Sequence, residues 1–284
     1  MNSVDVAAKI ESIIACPQCL GGLEIEGEDV ICSECKAAYK KRNGKYYFRE
    51  IRESDRPDVI DRAKGIIRRH EKLYAFFVSV VAPTFKSINL RKFVSAEREV
   101  VVDLGSGNTN VNDSWIKIDY FDYPNVHIVC DCEKLPFKSN SVDVQYNISV
   151  LEHVSDPYKV VSQIHRTLKK GGIVVSSVPF LVPYHASPHD YHRFTSSGVL
   201  NLYKDFAVLE LGGRSGPFSA LLWIFQETIA SLLSLGSTRI RHILLVFLYL
   251  ALFPFKFLDA VFLVYPFRSI ENIASNFYFV GRKE

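Results

Sequence analysis

The middle of the chain alternates short apolar runs with amphipathic or polar segments, a pattern that predicts an α/β fold. The apolar runs end in small or acidic residues, which is typical of buried strands. The predicted strands cover 99–104, 115–119, 126–130, 142–147, 173–178 and 207–211, with a helix over 157–168 and a last strand over 275–282. Strands that alternate with helices form a mostly parallel sheet with helices on both faces, and ligands bind at the strands' carboxyl ends.

Between the last two predicted strands lies a segment of a different kind, residues 217–274. About two thirds of residues 217–267 are apolar, against 48% of the whole chain. The uncharged run 243–255 spans about 20 Å as a helix, which is shorter than the ~30 Å hydrocarbon core of a bilayer. A longer helix would include Lys256 and Asp259, and each charge costs about 2.5–3.5 kcal/mol at the membrane centre.

The position of this segment also limits how it can meet a membrane. If the final strand rejoins the sheet, the segment cannot cross a membrane an odd number of times. The pattern therefore favours a helical hairpin that lies in one leaflet, with Arg239, Arg241 and His242 at the lipid headgroups. A dimer interface and a cover over an apolar substrate pocket are the alternatives.

Composition and charge limit the classes of function. The 284 residues carry 34 basic and 31 acidic side chains, which leaves a net charge of +3. This balance argues against a nucleic-acid binder that works by bulk charge, although a local basic patch stays open. Met1–Lys9 contains Asp5 and no continuous apolar run, so we expect no cleavable signal sequence and a cytoplasmic protein, peripheral on the membrane.

Four cysteines near the start of the chain predict a metal site. Cys16 and Cys19 form one C-x2-C pair, and Cys32 and Cys35 form a second pair after twelve residues. Two such turns can direct four thiolates at one tetrahedral zinc ion. Because four cysteines complete that shell, the zinc is expected to be structural. Two disulfides or a dithiol redox pair fit the two evenly spaced copies less well.

The stretch from Cys16 to Phe48 resembles the zinc ribbons of the small proteins that activate tRNA and protein methyltransferases. This resemblance implies an N-terminal zinc ribbon over residues 1–50, fused to whatever follows it. Residues 51–97 combine a charged segment with apolar positions at helical intervals, which predicts a helical linker.

The first strand of the predicted sheet ends in a glycine pair. Gly105 and Gly107 follow the apolar run directly, and Asp119 ends the next strand. Glycines at this point let the backbone approach a ligand, and a carboxylate at the second strand end can accept hydrogen bonds from ribose hydroxyls. The pair alone is a weak signal, since such glycines often only form a turn.

Further motifs follow in a fixed order. They are Asp103-Leu-Gly105-Ser106-Gly107, Asp119, Asp131-Cys132-Glu-Lys-Leu-Pro136-Phe137, Ser141-Val-Asp143, Leu151-Glu152-His153-Val154 and Lys170-Gly171-Gly172. The series resembles class I S-adenosylmethionine-dependent methyltransferases of the type 11 group over about residues 98–212 plus the last strand. The resemblance implies a methyltransferase core over 98–216 and 275–284, with the hydrophobic helical insertion at 217–274. The cofactor-binding residues that it implies are Asp103, Gly105, Ser106, Gly107, Asp119, Asp131, Cys132 and Asn147.

One part of the sequence departs from the usual nucleotide-binding pattern. Residues 105–114 are short for a crossover and poor in helix formers. We therefore expect a loop where a helix usually follows the glycines. The positive end of a helix dipole is then missing from the cofactor site.

Two clusters could carry the chemistry of methyl transfer. Glu152-His153 resembles part of the metal-binding motif of ubiquinone-pathway O-methyltransferases, but Ser149 replaces one of its acidic residues; a purely structural role is the alternative. The second cluster, residues 184–195, follows the fifth predicted strand and is rich in histidine and tyrosine. The predicted catalytic residues are His189, Asp190 and His153, and the alternative for the second cluster is a structural network in which Arg193 pairs with Asp190.

The sequence thus predicts a methyltransferase that uses S-adenosylmethionine and structural zinc, and that acts on a hydrophobic or lipid-linked acceptor at a membrane surface. An RNA methyltransferase that contacts RNA through its zinc ribbon is one alternative, against which the near-neutral charge argues. A non-catalytic scaffold with a degenerate cofactor site is the other.

Overall fold

The computed structural model describes residues 3–51, 88, 92–93, 99–186, 188–262 and 271–284. The predicted helical linker over 51–97 lies almost entirely outside the described residues, as does a stretch of the insertion at 263–270.

Eleven strands of the described chain form one mixed sheet, in the order β1-β2-β3-β4-β7-β6-β5-β8-β9-β11-β10. The strands are β1 (Leu23–Glu26), β2 (Asp29–Cys32), β3 (Ala38–Arg42), β4 (Lys45–Tyr47), β5 (Val101–Leu104), β6 (Ile116–Asp119), β7 (Ile128–Val129), β8 (Val142–Ile148), β9 (Leu168–Pro179), β10 (Ala207–Ser215) and β11 (Asn276–Arg282). Those from β5 to β9 pair in parallel, and β11 pairs antiparallel with both β9 and β10. The α/β class and the return of the last strand to the sheet are confirmed.

Helices cover one face of this sheet. They are α1 (Ser3–Ile13), α2 (Pro157–Thr167) and α3 (Ser196–Leu202). The first helical position of α2 is a proline, and the carboxylate of Asp156 caps the helix by accepting the Lys159 amide at 3.0 Å. A large apolar cluster lies between these helices and the sheet, and a smaller one, which includes Val101 and Val144, occupies the other face.

The cysteine-containing module continues the sheet. Its four strands pair antiparallel with one another, and β4 then pairs in parallel with β7 through Tyr46–Ile128 and Tyr47–Val129. Helix α1 packs beneath this junction, and its apolar side chains share one cluster with both modules. The N-terminal module therefore gains stability from the large core as well as from its own few apolar residues.

The loop predicted between the first two core strands is confirmed. All of residues 105–115 are described, and none is helical. Gly105 and Gly107 both adopt the left-handed backbone region, at φ +68° and +56°. A Cβ atom at Gly105 would lie 2.5 Å from a methyl group of Val150, so this position accepts only glycine without rearrangement.

The apolar insertion folds as a helical hairpin. Helix α4 (Pro217–Leu233) packs against α5 (Thr238–Leu252), which continues through a 3-10 turn (Phe253–Leu258) into α6 (Asp259–Phe262). Among the described residues, one helical stretch, Thr238–Val261, is long and apolar enough by length and composition to cross a membrane, and only 17% of an apolar 18-residue part of it is buried.

Two of the four charged residues of this stretch, Lys256 and Asp259, point inward. Asp259 is fully buried and accepts three backbone amides at the start of α4: Gly216 at 3.1 Å, Phe218 at 2.7 Å and Ser219 at 3.0 Å. The ammonium group of Lys256 lies 5.7 Å from the centre of the Trp223 ring, and burial lowers its pKa to about 8 although Asp259 opposes that shift. These two charges therefore fasten the hairpin to itself. Its outer surface is largely apolar, with Arg239 and His242 exposed near the start of α5.

Replacing the Asp259 cap should loosen the insertion. We expect Asp259→Ala to lower the free energy of unfolding by about 2 kcal/mol, because three amides at a helix start lose their acceptor. Thermal unfolding followed by circular dichroism should show a Tm lower by about 4 °C. Asp205→Ala, at an exposed carboxylate, is the matched control. A wild-type Tm for Asp259→Ala would contradict the capping role.

Candidate functional site

A cavity of about 670 Å³ lies at the carboxyl ends of β5, β6 and β8. This is the edge at which a parallel sheet is expected to bind its ligand. Residues from the glycine loop, from the ends of β6 and β7, and from the loops after β8 and β9 line it. The lining includes Gly105, Gly107, Asp119, Tyr120, Phe121, Tyr123, Cys130, Asp131, Cys132, Ser149, Val150, His153, Pro188, His189 and Tyr191.

One side of the cavity carries the acidic residues predicted for a nucleoside. Asp119 ends β6, and its carboxylate accepts the Gly107 amide at 2.8 Å and the Phe121 amide at 2.9 Å. Asp131 caps the short 3-10 turn Cys132–Lys134 by accepting the Glu133 amide at 2.9 Å. Backbone amides thus fix both carboxylates beside the glycine loop.

Three of the predicted cofactor residues do not line this cavity. Asp103 belongs to the opposite face, in register with Lys117 and Tyr146, and burial raises the pKa of its carboxyl group to about 7. Ser106 is buried under the loop, and Asn147 accepts the Ser176 hydroxyl at 2.6 Å. The chain pattern could not separate the faces, because both faces of β5 and β8 are largely buried.

Tyr120, Phe121 and Tyr123 form an aromatic wall of the cavity, and the N-terminal module holds this wall in place. The Arg49 guanidinium lies 3.5 Å from the centre of the Tyr120 ring and donates to the Tyr120 carbonyl at 2.8 Å. Lys45 donates to Asp122 at 2.8 Å and to the Tyr123 carbonyl at 2.7 Å. These contacts stabilise residues 120–123, whose backbone also holds the Asp119 carboxylate.

The loop between β9 and α3 forms the other side of the cavity. Asp190 has a fully buried carboxylate, which receives both terminal nitrogens of Arg193 at 2.5 and 2.6 Å and the His185 amide at 2.8 Å. Burial alone would raise the pKa of Asp190, but the bonds from Arg193 and His185 bring it down to about 2. Asp190 thus has the pairing described by the structural alternative, whereas His189 is exposed and lines the cavity.

A second group of side chains meets behind the cavity wall. Glu152 is fully buried, and its Oε1 lies 3.9 Å from Nε2 of His153 and 3.8 Å from Nε2 of His185. Sequence reasoning singled out Glu152 and His153 but missed the approach of His185. No periodic signal could have found it, because a long strand and a loop separate the two segments.

The four cysteines of the N-terminal module also converge. Their sulfur atoms all lie within 4.8 Å of one another, with Cys16 3.6 Å from Cys35 and Cys19 3.4 Å from Cys32. No disulfide joins them, since all six cysteines are free. Sulfurs about 2.3 Å from one tetrahedral zinc ion would be about 3.8 Å apart, so the cluster fits such an ion closely.

The insertion reaches the same region. The Trp223 ring of α4 lies 6.3 Å from the His185 ring. An apolar groove of about 370 Å³ runs between the start of α4 and the beginning of the β9–α3 loop, and its lining is Leu181, Pro217, Phe218, Ala220, Leu221, Ile224 and Ile273.

Comparison with known proteins identifies the kind of domain. A family model described as Methyltransferase domain matches residues 91–176. This range contains the glycine loop, Asp119, Asp131 and the Glu152-His153 pair. The strands from β5 to β8, most of β9 and the part of the cavity that they border therefore match a methyltransferase domain.

Solved structures with a similar fold were also found. Phosphoethanolamine N-methyltransferase 2 of Haemonchus contortus, with S-adenosyl-L-methionine, is 17% identical at a TM-score of 0.44, covering 68% of this chain and 51% of that one. This chain thus spans about half the length of that enzyme.

Two further structures cover more of the chain. A chain from a complex between the Haloferax volcanii Trm112 methyltransferase activator and a methyltransferase is 16% identical at a TM-score of 0.45. The match covers 82% of this chain and 99% of that one. Geranyl diphosphate C-methyltransferase of Streptomyces coelicolor is 13% identical at a TM-score of 0.40, and the match covers 81% of this chain and 86% of that one. No curated protein matches the sequence.

The contact between Arg49 and Tyr120 should affect cofactor binding. We expect Arg49→Ala to raise the Kd for S-adenosylmethionine about 5-fold, because the aromatic wall loses roughly 1 kcal/mol of cation–π and hydrogen-bond energy. Isothermal titration calorimetry measures this change. Lys40→Ala, which removes an exposed ion pair of the same module, should leave the Kd unchanged. Equal Kd values for all three proteins would contradict a role of the module in the cavity.

Proposed function

We propose that this S-adenosylmethionine-dependent methyltransferase transfers a methyl group to a hydrophobic or lipid-linked acceptor at a membrane surface. The observation that carries the proposal is the exposed apolar surface of the α4–α5 hairpin, whose Trp223 approaches the loop that borders the cavity. Large apolar side chains are exposed along both helices and at their connection: Leu235 is 93% exposed, Ile243 70% and Phe247 66%. Soluble monomers rarely expose so continuous an apolar surface without a partner.

The hairpin has the properties of an element that lies on a membrane rather than across it. Asp259 and Lys256 are used inside the fold, and Glu227 pairs with Arg241 between the two helices. Arg239 is exposed at the start of α5. Both ends of the insertion join strands of the catalytic sheet. An apolar face of this size can enter the outer part of one leaflet while the sheet stays in water.

The apolar groove at the start of the hairpin supports the hydrophobic nature of the acceptor. The apolar groove begins where α4 meets Leu181, and the chain continues from Leu181 into the loop that carries His185 and His189. A lipid-like chain in this groove would have its polar end near the side chains of that loop. Its burial would supply binding energy that a small polar substrate lacks.

The cofactor is assigned to the opposite wall. Asp119 would accept the ribose hydroxyls and Asp131 the adenine amine, with the backbone of Cys132 beside it, because both donors need an oxygen acceptor. Gly105 and Gly107 would allow the methionine part to lie close to the backbone. Asp103, Ser106 and Asn147 would support these contacts from behind. Four cysteines of the N-terminal module would hold a structural zinc ion.

Methyl transfer from a sulfonium is a direct displacement, so the protein mainly aligns the two reactants and excludes water. A base is needed only when the acceptor must lose a proton. His189 lines the cavity and is assigned to face the acceptor, with His153 beside it. Asp190, held by Arg193, would fix the loop that positions His189.

Removing the His189 imidazole tests the acceptor side. We expect His189→Ala to reduce methyl transfer from labelled S-adenosylmethionine into a lipid extract at least 100-fold, because general bases contribute roughly 10²–10⁴ to rate. The Kd for S-adenosylmethionine should change less than 2-fold. His192→Ala is the control, since His192 belongs to the same loop but does not line the cavity. Wild-type turnover in His189→Ala would remove the residue from the mechanism, and absence of any cofactor binding by the wild type would favour a scaffold.

The membrane surface can be tested without knowing the acceptor. We expect the wild type to float with liposomes that contain anionic lipid, and the double variant Ile243→Glu/Phe247→Glu to stay in the soluble fraction. Both side chains are exposed, so charges there should not disturb folding. Leu200→Glu, at an exposed leucine of α3, is the matched control and should float normally. Recovery of the wild type only in the soluble fraction would overturn the membrane part of the proposal.

A further inference from the structure

The group formed by Glu152, His153 and His185 has an unusual electrostatic arrangement. The Glu152 carboxylate is completely buried, and neither of its oxygens accepts a hydrogen bond from any described residue. The nearest polar atoms are the two imidazole Nε2 atoms, at 3.9 and 3.8 Å from Oε1. A buried carboxylate without donors is strongly disfavoured unless a positive charge accompanies it.

Hydrogen bonds at the other ring nitrogens fix the orientation of both imidazoles. Nδ1 of His153 lies 2.6 Å from the carbonyl oxygen of His189, and Nδ1 of His185 lies 3.0 Å from that of Pro183. Because a carbonyl oxygen only accepts, Nδ1 of His153 carries a proton. Nδ1 of His185 also lies 3.4 Å from Nη2 of Arg193, which only donates, but its nearer partner is the Pro183 carbonyl, and we assign the proton to this Nδ1 as well. In a neutral ring, Nε2 then presents its lone pair, and both lone pairs face Glu152.

We propose that Glu152, His153 and His185 bind a divalent transition-metal ion. Their ligand atoms all lie within 4.8 Å of one another. Histidines that ligate a metal through Nε2 usually donate Nδ1–H to a carbonyl or carboxylate, as both do in this site. Two imidazoles and one carboxylate favour zinc, iron(II), manganese or cobalt over magnesium or calcium.

The distances fit this assignment with a small adjustment. Ligands about 2.1 Å from a tetrahedral ion are about 3.4 Å apart, so each Nε2 needs to approach the Glu152 oxygen by about 0.4 Å. The other nearby carboxylate, Asp190, is 3.5 Å from His185 Nδ1 and already pairs with Arg193. Because Arg193 already neutralises Asp190, the negative charge that remains to be balanced in the cluster is that of Glu152.

A metal ion at this site would connect two separate segments of the chain. Glu152 and His153 follow β8, whereas His185 belongs to the loop after β9, so one ion would join two segments. His153 lines the cavity, and the His185 ring lies 6.3 Å from the Trp223 ring. Three protein ligands leave a fourth position for water or for an oxygen of the acceptor. Only this last point rests on the proposed function.

Metal content measures the site directly and needs neither acceptor nor methyl donor. Untagged full-length protein is dialysed against buffer with micromolar zinc, and bound zinc is counted by mass spectrometry. We expect about two zinc ions per wild-type chain, one at the four cysteines. Glu152→Gln and His185→Ala should each lose one equivalent. His192→Ala, whose Nε2 faces a backbone carbonyl, should retain both.

Cobalt substitution separates the two sites by their ligands. The four-cysteine site gives strong thiolate charge-transfer bands, which should persist in both variants, whereas a weaker band from nitrogen and oxygen ligands should be present in the wild type and absent from Glu152→Gln. Persistence of the thiolate bands also shows that the variant is folded; His185→Ala, at a partly exposed side chain, is the second variant. Equal zinc content and equal cobalt spectra in the wild type and both variants would overturn the proposal and indicate a proton-bridged histidine–carboxylate group instead.

Discussion

The arrangement of the molecule depends on the pairing of its last strand. Strand β11 lies between β9 and β10 and is antiparallel to both, so Asn276 is in register with Pro179 on one side and with Ser215 on the other. Pro179 marks the carboxyl end of β9, which is the edge of the sheet where the cavity lies. The insertion therefore leaves and rejoins the sheet at the ligand-binding edge. This constraint places the apolar hairpin beside the chemistry and excludes a single membrane crossing.

The same constraint explains the role of the buried charged residues in the apolar insertion. From the sequence, Lys256 and Asp259 only argue against a membrane span. In the fold, Asp259 accepts the first amides of α4, and Lys256 lies beside Trp223. A helix start buried without an acceptor would leave its amides unsatisfied. The cap thus allows the hairpin to pack on itself, which leaves its apolar side chains free to face outward.

The positions of the core strands along the chain, the missing first helix and the convergence of the four cysteines could all be predicted from the sequence, because each depends on a local pattern or spacing. The pairing of β4 with β7 could not, since edge strands carry no signal for their partner. The sequence could not show which face of the sheet Asp103 and Asn147 occupy, because strands buried on both faces lack the alternation of apolar and polar residues that marks an exposed face. The meeting of Glu152 with His185 depends on how two loops settle at one sheet edge. Long-range contacts of this kind have no period for a sequence to display.

Both additions to the core act on one cavity from opposite edges of the sheet. The N-terminal module joins at β7, and Arg49 and Lys45 hold the aromatic wall next to Asp119. The hairpin joins at β10 and β11, and Trp223 approaches the loop that carries His185 and His189. Because methyl transfer is sensitive to the alignment of donor and acceptor, walls held from both sides would position the two reactants for whatever base the acceptor requires. The cysteine cluster would then stabilise the module that holds the aromatic wall, and the Glu152 group would join two loops at the cavity.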